Sequence, residues 1–196
     1  MKPRFVFLFL SAVALLCGCA DDFQYGSPYQ CSFVYFASDH ATSALSLSLD
    51  NPGQFCIVTT RQERGITHIV AVPNSGSYGA EALDVPMVTA KENDRLSYSH
   101  MGAGGRLIIG CTFSSLTSTP LRAYDGECRA CLDELGRAAA PLDWSSDGQT
   151  LVCRRCLRTY NPNADGTVIA AQGQVNKPLY QYRIDLAGGR LWVHSN

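Results

Sequence analysis

The chain has 196 residues, nine of them cysteine, with 16 basic against 17 acidic side chains and a net charge of −1 at pH 7. That length suits one domain with its own core, and the near-neutral balance offers no electrostatic footprint for nucleic acid. No Gly-x-Ser-x-Gly or His-Glu-x-x-His occurs and the acidic residues are scattered, so no hydrolase constellation is present and an independent enzyme is not expected.

Lys2 and Arg4 precede an apolar run over residues 5–16, broken only by Ser11, that is too short to span a bilayer as a mature helix and has the form of a signal-peptide core. Leu16-Cys17-Gly18-Cys19 follows and resembles a bacterial lipobox. The resemblance implies a leader over residues 1–18, acylation of Cys19 and attachment to a membrane through the lipid; a plain secretory signal is the alternative. Ala20-Asp21-Asp22 is similar to the acidic sorting signals of surface lipoproteins in some Gram-negative bacteria. The chain is therefore expected in the bacterial cell envelope as an outer-membrane lipoprotein, facing the periplasm or the cell surface.

Residues 19–30, with Gly26, Ser27 and Pro28, have the composition of a tether, and folded structure is expected over residues 31–196. Residues 31–36 are aromatic and β-branched and suit a strand. Leu45, Leu47 and Leu49 alternate with Ser46 and Ser48, the period of a half-buried strand with one wet face. Asn51-Pro52-Gly53 marks a turn, and residues 55–60 and 66–72 are strand-like runs joined by a charged connection. Residues 73–82 read as loop and 85–90 as a short strand. Gly102, Gly104 and Gly105 precede a strand, not a helix, and so form a turn and not a phosphate loop. Residues 114–120 form a polar loop and 121–124 a strand. Residues 130–140 carry good helix formers up to Pro141. A hairpin turn at Asp147-Gly148, a strand near 167–169 and a closing hairpin around Gly188-Gly189 complete a mainly β chain.

Cys128-Arg129-Ala130-Cys131 and Cys153-Arg154-Arg155-Cys156 place four thiols in two C-x-x-C pairs, with twenty-one residues between them. Tight turns of this spacing point both sulfurs of a pair at one place, and two such knuckles make a tetrahedral cage. This sets a four-cysteine subdomain at about residues 125–160. Cys31, Cys56 and Cys111 are left over, and outside the cytoplasm two of the three are expected to form a disulfide. Trp144 and Trp192 are expected in the core.

From about Gly105 onward the order of features resembles a Rieske-type iron-sulfur domain. Ala123-Tyr124-Asp125 precedes the first loop, Tyr160-Asn161 follows the second, and Asp165-Gly166, Pro178-Leu179 and Tyr182 come after in family order. The resemblance implies stacked antiparallel sheets, with strands from residues 31–104 completing them. The ligand set departs from the family: Cys131 and Cys156 stand where histidines are expected, and His40, His68, His100 and His194 all lie elsewhere. An all-cysteine cage is instead similar to those of rubredoxins and zinc ribbons.

Three contents of the cage follow: mononuclear zinc or iron, a two-iron 2Fe-2S cluster, or two disulfides and no metal. Arg129, Arg154, Arg155 and Arg158 would offset thiolate charge or serve solubility. Two functions stay open. One is an envelope protein whose structural four-cysteine site serves protein interaction or assembly. The other is an electron-transfer protein binding iron, with a redox partner.

Overall fold

Residues 55–58 and 107–109 are apolar at every position, the pattern of strands covered on both faces. They run through the middle of the structure, a computed structural model that describes residues 26–74, 83–86, 100–113, 120–170 and 177–195. The described chain is mainly β. Its strands are β1 (Ser32–Phe36), β2 (Phe55–Glu63), β3 (Ile66–Pro73), β4 (Leu83–Pro86), β5 (Arg106–Cys111), β6 (Leu121–Asp125), β7 (Leu142–Trp144), β8 (Leu151–Cys153), β9 (Thr159–Asn161), β10 (Thr167–Ala170), β11 (Gln181–Ala187) and β12 (Arg190–His194). One antiparallel sheet has the order β1-β12-β11-β6-β5-β2-β3-β4, and a second, smaller one has the order β10-β9-β8-β7.

Successive residues of the central strands face opposite ways and feed two cores. Cys56, Val58, Leu107, Ile109 and Ala123 join Phe33 and Tyr35 on one face, where the sheet curls over helix α1 (Ala44–Asp50). Phe55, Ile57, Ile108 and Tyr124 point the other way and pack against Leu142, Leu151 and Tyr160 of the small sheet. The expected stacking of antiparallel sheets is what the structure has.

Residues 45–49 are helical, not extended. Leu45 and Leu49 sit one helical turn apart and are buried, and Ser43 caps the helix by accepting the Ser46 N–H at 3.1 Å. The serines assumed to be wet are inside: Ser46 bonds Tyr35 at 3.1 Å, and Ser48 donates to the Leu45 carbonyl at 2.8 Å. An alternation of two also satisfies the spacing of four, so burial of the hydroxyls decided between strand and helix. The second helix, α2 (Arg129–Leu135), is shorter than residues 130–140 suggest. It ends at Gly136, in the left-handed region at φ 65°, well before Pro141.

Contacts with the folded part begin before residue 31. Gly26 bridges to Gln181, the Ser27 amide donates to the Gln181 carbonyl at 3.1 Å, and the Ser27 hydroxyl donates to Tyr182 Oη at 2.9 Å. Cys31, Cys56 and Cys111 are buried free thiols of the first core and not partners in a disulfide. Cys31 bonds the Val193 carbonyl and Cys111 the Thr112 carbonyl, and burial pushes the thiols of Cys31 and Cys56 up to about 12. Trp144 is partly buried and donates to the Val72 carbonyl at 3.0 Å, whereas Trp192 is 37% exposed and stacks on His194. Most of the loops expected at 73–82 and 114–120 and the end of the strand at 85–90 lie outside the described residues, as does Cys19.

Gly110 of β5 has no room for a side chain. A Cβ there would lie 2.1 Å from the Gln54 carbonyl oxygen and 2.6 Å from the Phe55 Cα, and backbone atoms cannot swing aside. Gly110→Ala is expected to cost about 3 kcal/mol, read as a lowered denaturant midpoint with unchanged slope.

Candidate metal centre

The two C-x-x-C pairs reach the second core by different routes. Cys128 follows β6 and caps α2, and Cys131 lies in that helix's first turn. The first pair is therefore a helix opening and not the tight turn its spacing suggests. Residues 126–128 are held against the start of β7: the Cys128 amide donates to the Ala140 carbonyl at 2.9 Å, the Leu142 amide to the Gly126 carbonyl at 2.9 Å, and the Ala140 amide to Glu127 Oε2 at 2.8 Å.

The second pair is a true knuckle. Cys153 ends β8, its amide donates to the Arg158 carbonyl at 2.9 Å, and the Leu157 amide donates back to the Cys153 carbonyl at 2.8 Å. Leu157 turns the chain in the left-handed region at φ 58° with 55% of its surface exposed. A side chain here strains the backbone without burial to offset it. Leu157→Gly is expected to raise stability by about 0.5–1 kcal/mol, visible as a small rise in melting temperature.

The structure brings all four predicted sulfurs together. Every Sγ lies within 4.8 Å of the others, with Cys128 and Cys156 at 3.5 Å and Cys131 and Cys153 at 3.8 Å. A disulfide needs about 2.05 Å, so no pair in the group is bonded. Cys128, Cys131 and Cys153 are buried and Cys156 is half-buried. Among the described residues the group contains four cysteines and no histidine. His40 stacks on Tyr35, and His194 stacks on Trp192 and bonds Asp185.

Four thiols this close cannot all ionise without a cation among them. The Cys153 thiol is brought down to about 5, chiefly by Cys128 and by the amides of Cys156 and Arg155. Cys128 is pushed far up by the same bond and by burial, and Cys131 is pushed up to about 12, mainly by burial. Burial thus disfavours the thiolates of Cys128 and Cys131, a cost that a divalent ion among the sulfurs would offset.

Of the four arginines, one is coupled to the sulfurs: the pKa of Arg158 is raised, chiefly by Cys156. Arg129 lies 4.3 Å over the Tyr180 ring and donates to the Pro178 carbonyl, Arg154 pairs with Asp143 at 3.0 Å, and Arg155 is exposed. Tyr160, which spacing alone could not assign to the site, is fully buried with its hydroxyl 3.2 Å from Cys128 Sγ. Asp125 lies outside the cage but fixes its approach: its carboxylate accepts from Tyr182 at 2.6 Å and from the amides of Ala103 and Glu127, both at 2.9 Å.

No family model matches this sequence, and no curated protein aligns with it as a relative. Among the described residues no helix is long and apolar enough to cross a membrane.

Proposed function

We propose that the four cysteines hold one zinc ion as a structural centre, in a lipid-anchored envelope protein whose folded part serves protein interaction or assembly. The observation that carries this is the size of the sulfur group. With metal–sulfur bonds of about 2.3 Å the edge of a tetrahedron is about 3.8 Å, close to the 3.5 and 3.8 Å separations of the two nearest pairs. A two-iron cluster would place its ligand pairs on separate irons, and a group confined to 4.8 Å suits a single ion better. A four-thiolate site has no open coordination position for a substrate, which favours a structural over a catalytic role.

The Rieske-like reading is kept as a proposal about layout. Ala123, Tyr124 and Asp125 lie on β6 just before the first thiol, Tyr160 lies on β9 just after the last, and Tyr182 lies on β11. Fold analogy does not carry activity when the ligands have changed. Anchorage through Cys19 and residence in the envelope rest on the lipobox-like leader, and the mass of the mature N-terminus tests both. A second reading, electron transfer through iron, is favoured by Cys156, which brings one edge of the cage to the surface.

Elemental analysis, a visible spectrum and a free-thiol count on protein purified without added metal decide between these. The expected result is one zinc per chain and no visible band. Iron with thiolate charge-transfer bands would replace zinc with the electron carrier, and absence of metal with loss of the four thiols would sink both readings.

A further inference from the structure

We propose that Cys156 is a peroxide-reactive modification site whose oxidation is captured by Cys128, opening the cage; this rests on the metal-centre reading above. Three of the four sulfur-bearing residues are closed to solvent, Cys128 and Cys153 at 0% and Cys131 at 1% exposure, while Cys156 is half-buried between exposed Arg155 and exposed Leu157. A small oxidant therefore meets Cys156 first.

The Cys156 thiolate attacks one peroxide oxygen, an S–O bond forms, the O–O bond breaks, and hydroxide leaves and is protonated to water. The nearest sulfur is Cys128 at 3.5 Å. Its thiolate attacks the sulfenic sulfur, the S–S bond forms, the S–O bond breaks, and a second hydroxide leaves as water. Two thiolates have lost two electrons in all, and hydrogen peroxide with two protons has become two waters. The sulfurs need to close by roughly 1.5 Å to reach disulfide length, a motion the exposed second knuckle can supply. Cys131 and Cys153 are then the only ligands left, too few for a four-coordinate site, and their 3.8 Å separation suits a second bridge under further peroxide. Both bridges join the two loops, and neither closes within a C-x-x-C pair.

The chain starting at Ala20 contains every described contact and is the protein to test, loaded with zinc and treated with one equivalent of hydrogen peroxide. Zinc release is followed with a chromophoric chelator and bridges are mapped by peptide mass spectrometry. The expected result is a Cys128–Cys156 bridge forming together with zinc release, with zinc retained in the untreated protein over the same time. Cys131→Ser should still form that bridge. In untreated wild type a substoichiometric alkylating agent should label Cys156 before the other three, a readout that needs no variant to fold. A first bridge at Cys153–Cys156 or Cys128–Cys131, first alkylation of another of the four cysteines, or intact zinc after treatment overturns the proposal. If the untreated chain takes up no metal, the zinc reading fails separately, and mapping of the reduced, metal-free chain still decides whether Cys156 reacts first and with Cys128.

Discussion

Cys153→Ser is expected to lose metal affinity by at least about 100-fold and to unfold the small sheet while the large one stays protected. Outer-shell partners of metal sites alone carry 10- to 100-fold, so loss of a ligand should exceed that. The local unfolding follows from the lengths involved. Strands β7, β8 and β9 have three residues each, β10 has four, and α2 has seven, all below what such elements sustain alone. Cys128, Cys131 and Cys153 are core members there, so on the proposed metal reading ligation and packing would be one process in which binding energy is folding energy. The first core shares none of these residues. Amide exchange should therefore rise over residues 142–161 and remain slow in β2 and β5. Uniform protection across both sheets in the variant, or in protein stripped by a chelator, would show that the centre holds nothing together.

The second large effect is expected at Asp125. Asp125→Ala leaves the Tyr182 hydroxyl and the amides of Ala103 and Glu127 without their acceptor in a fully buried place. Each stranded donor costs on the order of 1–3 kcal/mol, and removal of the burial cost of the carboxylate offsets part of it, so a net loss of about 3–5 kcal/mol is expected in denaturant unfolding. Asp125→Asn separates charge from geometry. Burial raises the Asp125 pKa above its ordinary value, against the lowering by its three hydrogen bonds. The folded state thus holds this proton more tightly than the unfolded chain does. Its contribution to stability is complete below the ordinary carboxylate pKa and declines as pH rises through the raised folded value. Wild type minus Asp125→Asn should show that decline across the mildly acidic range. A difference independent of pH there would mean the carboxylate is not held as the structure shows.

The sequence disclosed the elements whose signals are local. Arg64 and Gly65, at φ 52° and 79°, make the two-residue turn of the β2–β3 hairpin, and Gly188 and Gly189, at 57° and 75°, do the same between β11 and β12. Spacing also named all four thiols, because two residues between cysteines leave little choice of direction. What it could not show depended on what lies opposite in space. Ser46 and Ser48 looked solvent-facing until Tyr35 and the backbone supplied their partners. The three remaining cysteines looked like candidates for a bridge because compartment was the only guide, yet each is spent as a small core side chain with its own hydrogen-bond acceptor or neighbouring hydroxyl. Tyr160 held an expected place in the order, but nothing in that order tells that its hydroxyl touches the Cys128 sulfur. Arg129 sat in the first C-x-x-C and was drawn away by Tyr180, a residue some fifty positions later in the chain.

The pairing of β1 with β12 sets a clock for assembly. Cys31 bonds Val193 across 162 positions, and within the sheet β1 has β12 as its one neighbour. While the chain emerges from a ribosome or a translocation pore, β1 and the Cys31 thiol lack their strand neighbour until β12, near the end of the described chain, arrives. The half-made protein therefore leaves one edge of its aromatic β1 strand unpaired until the last described strand is made.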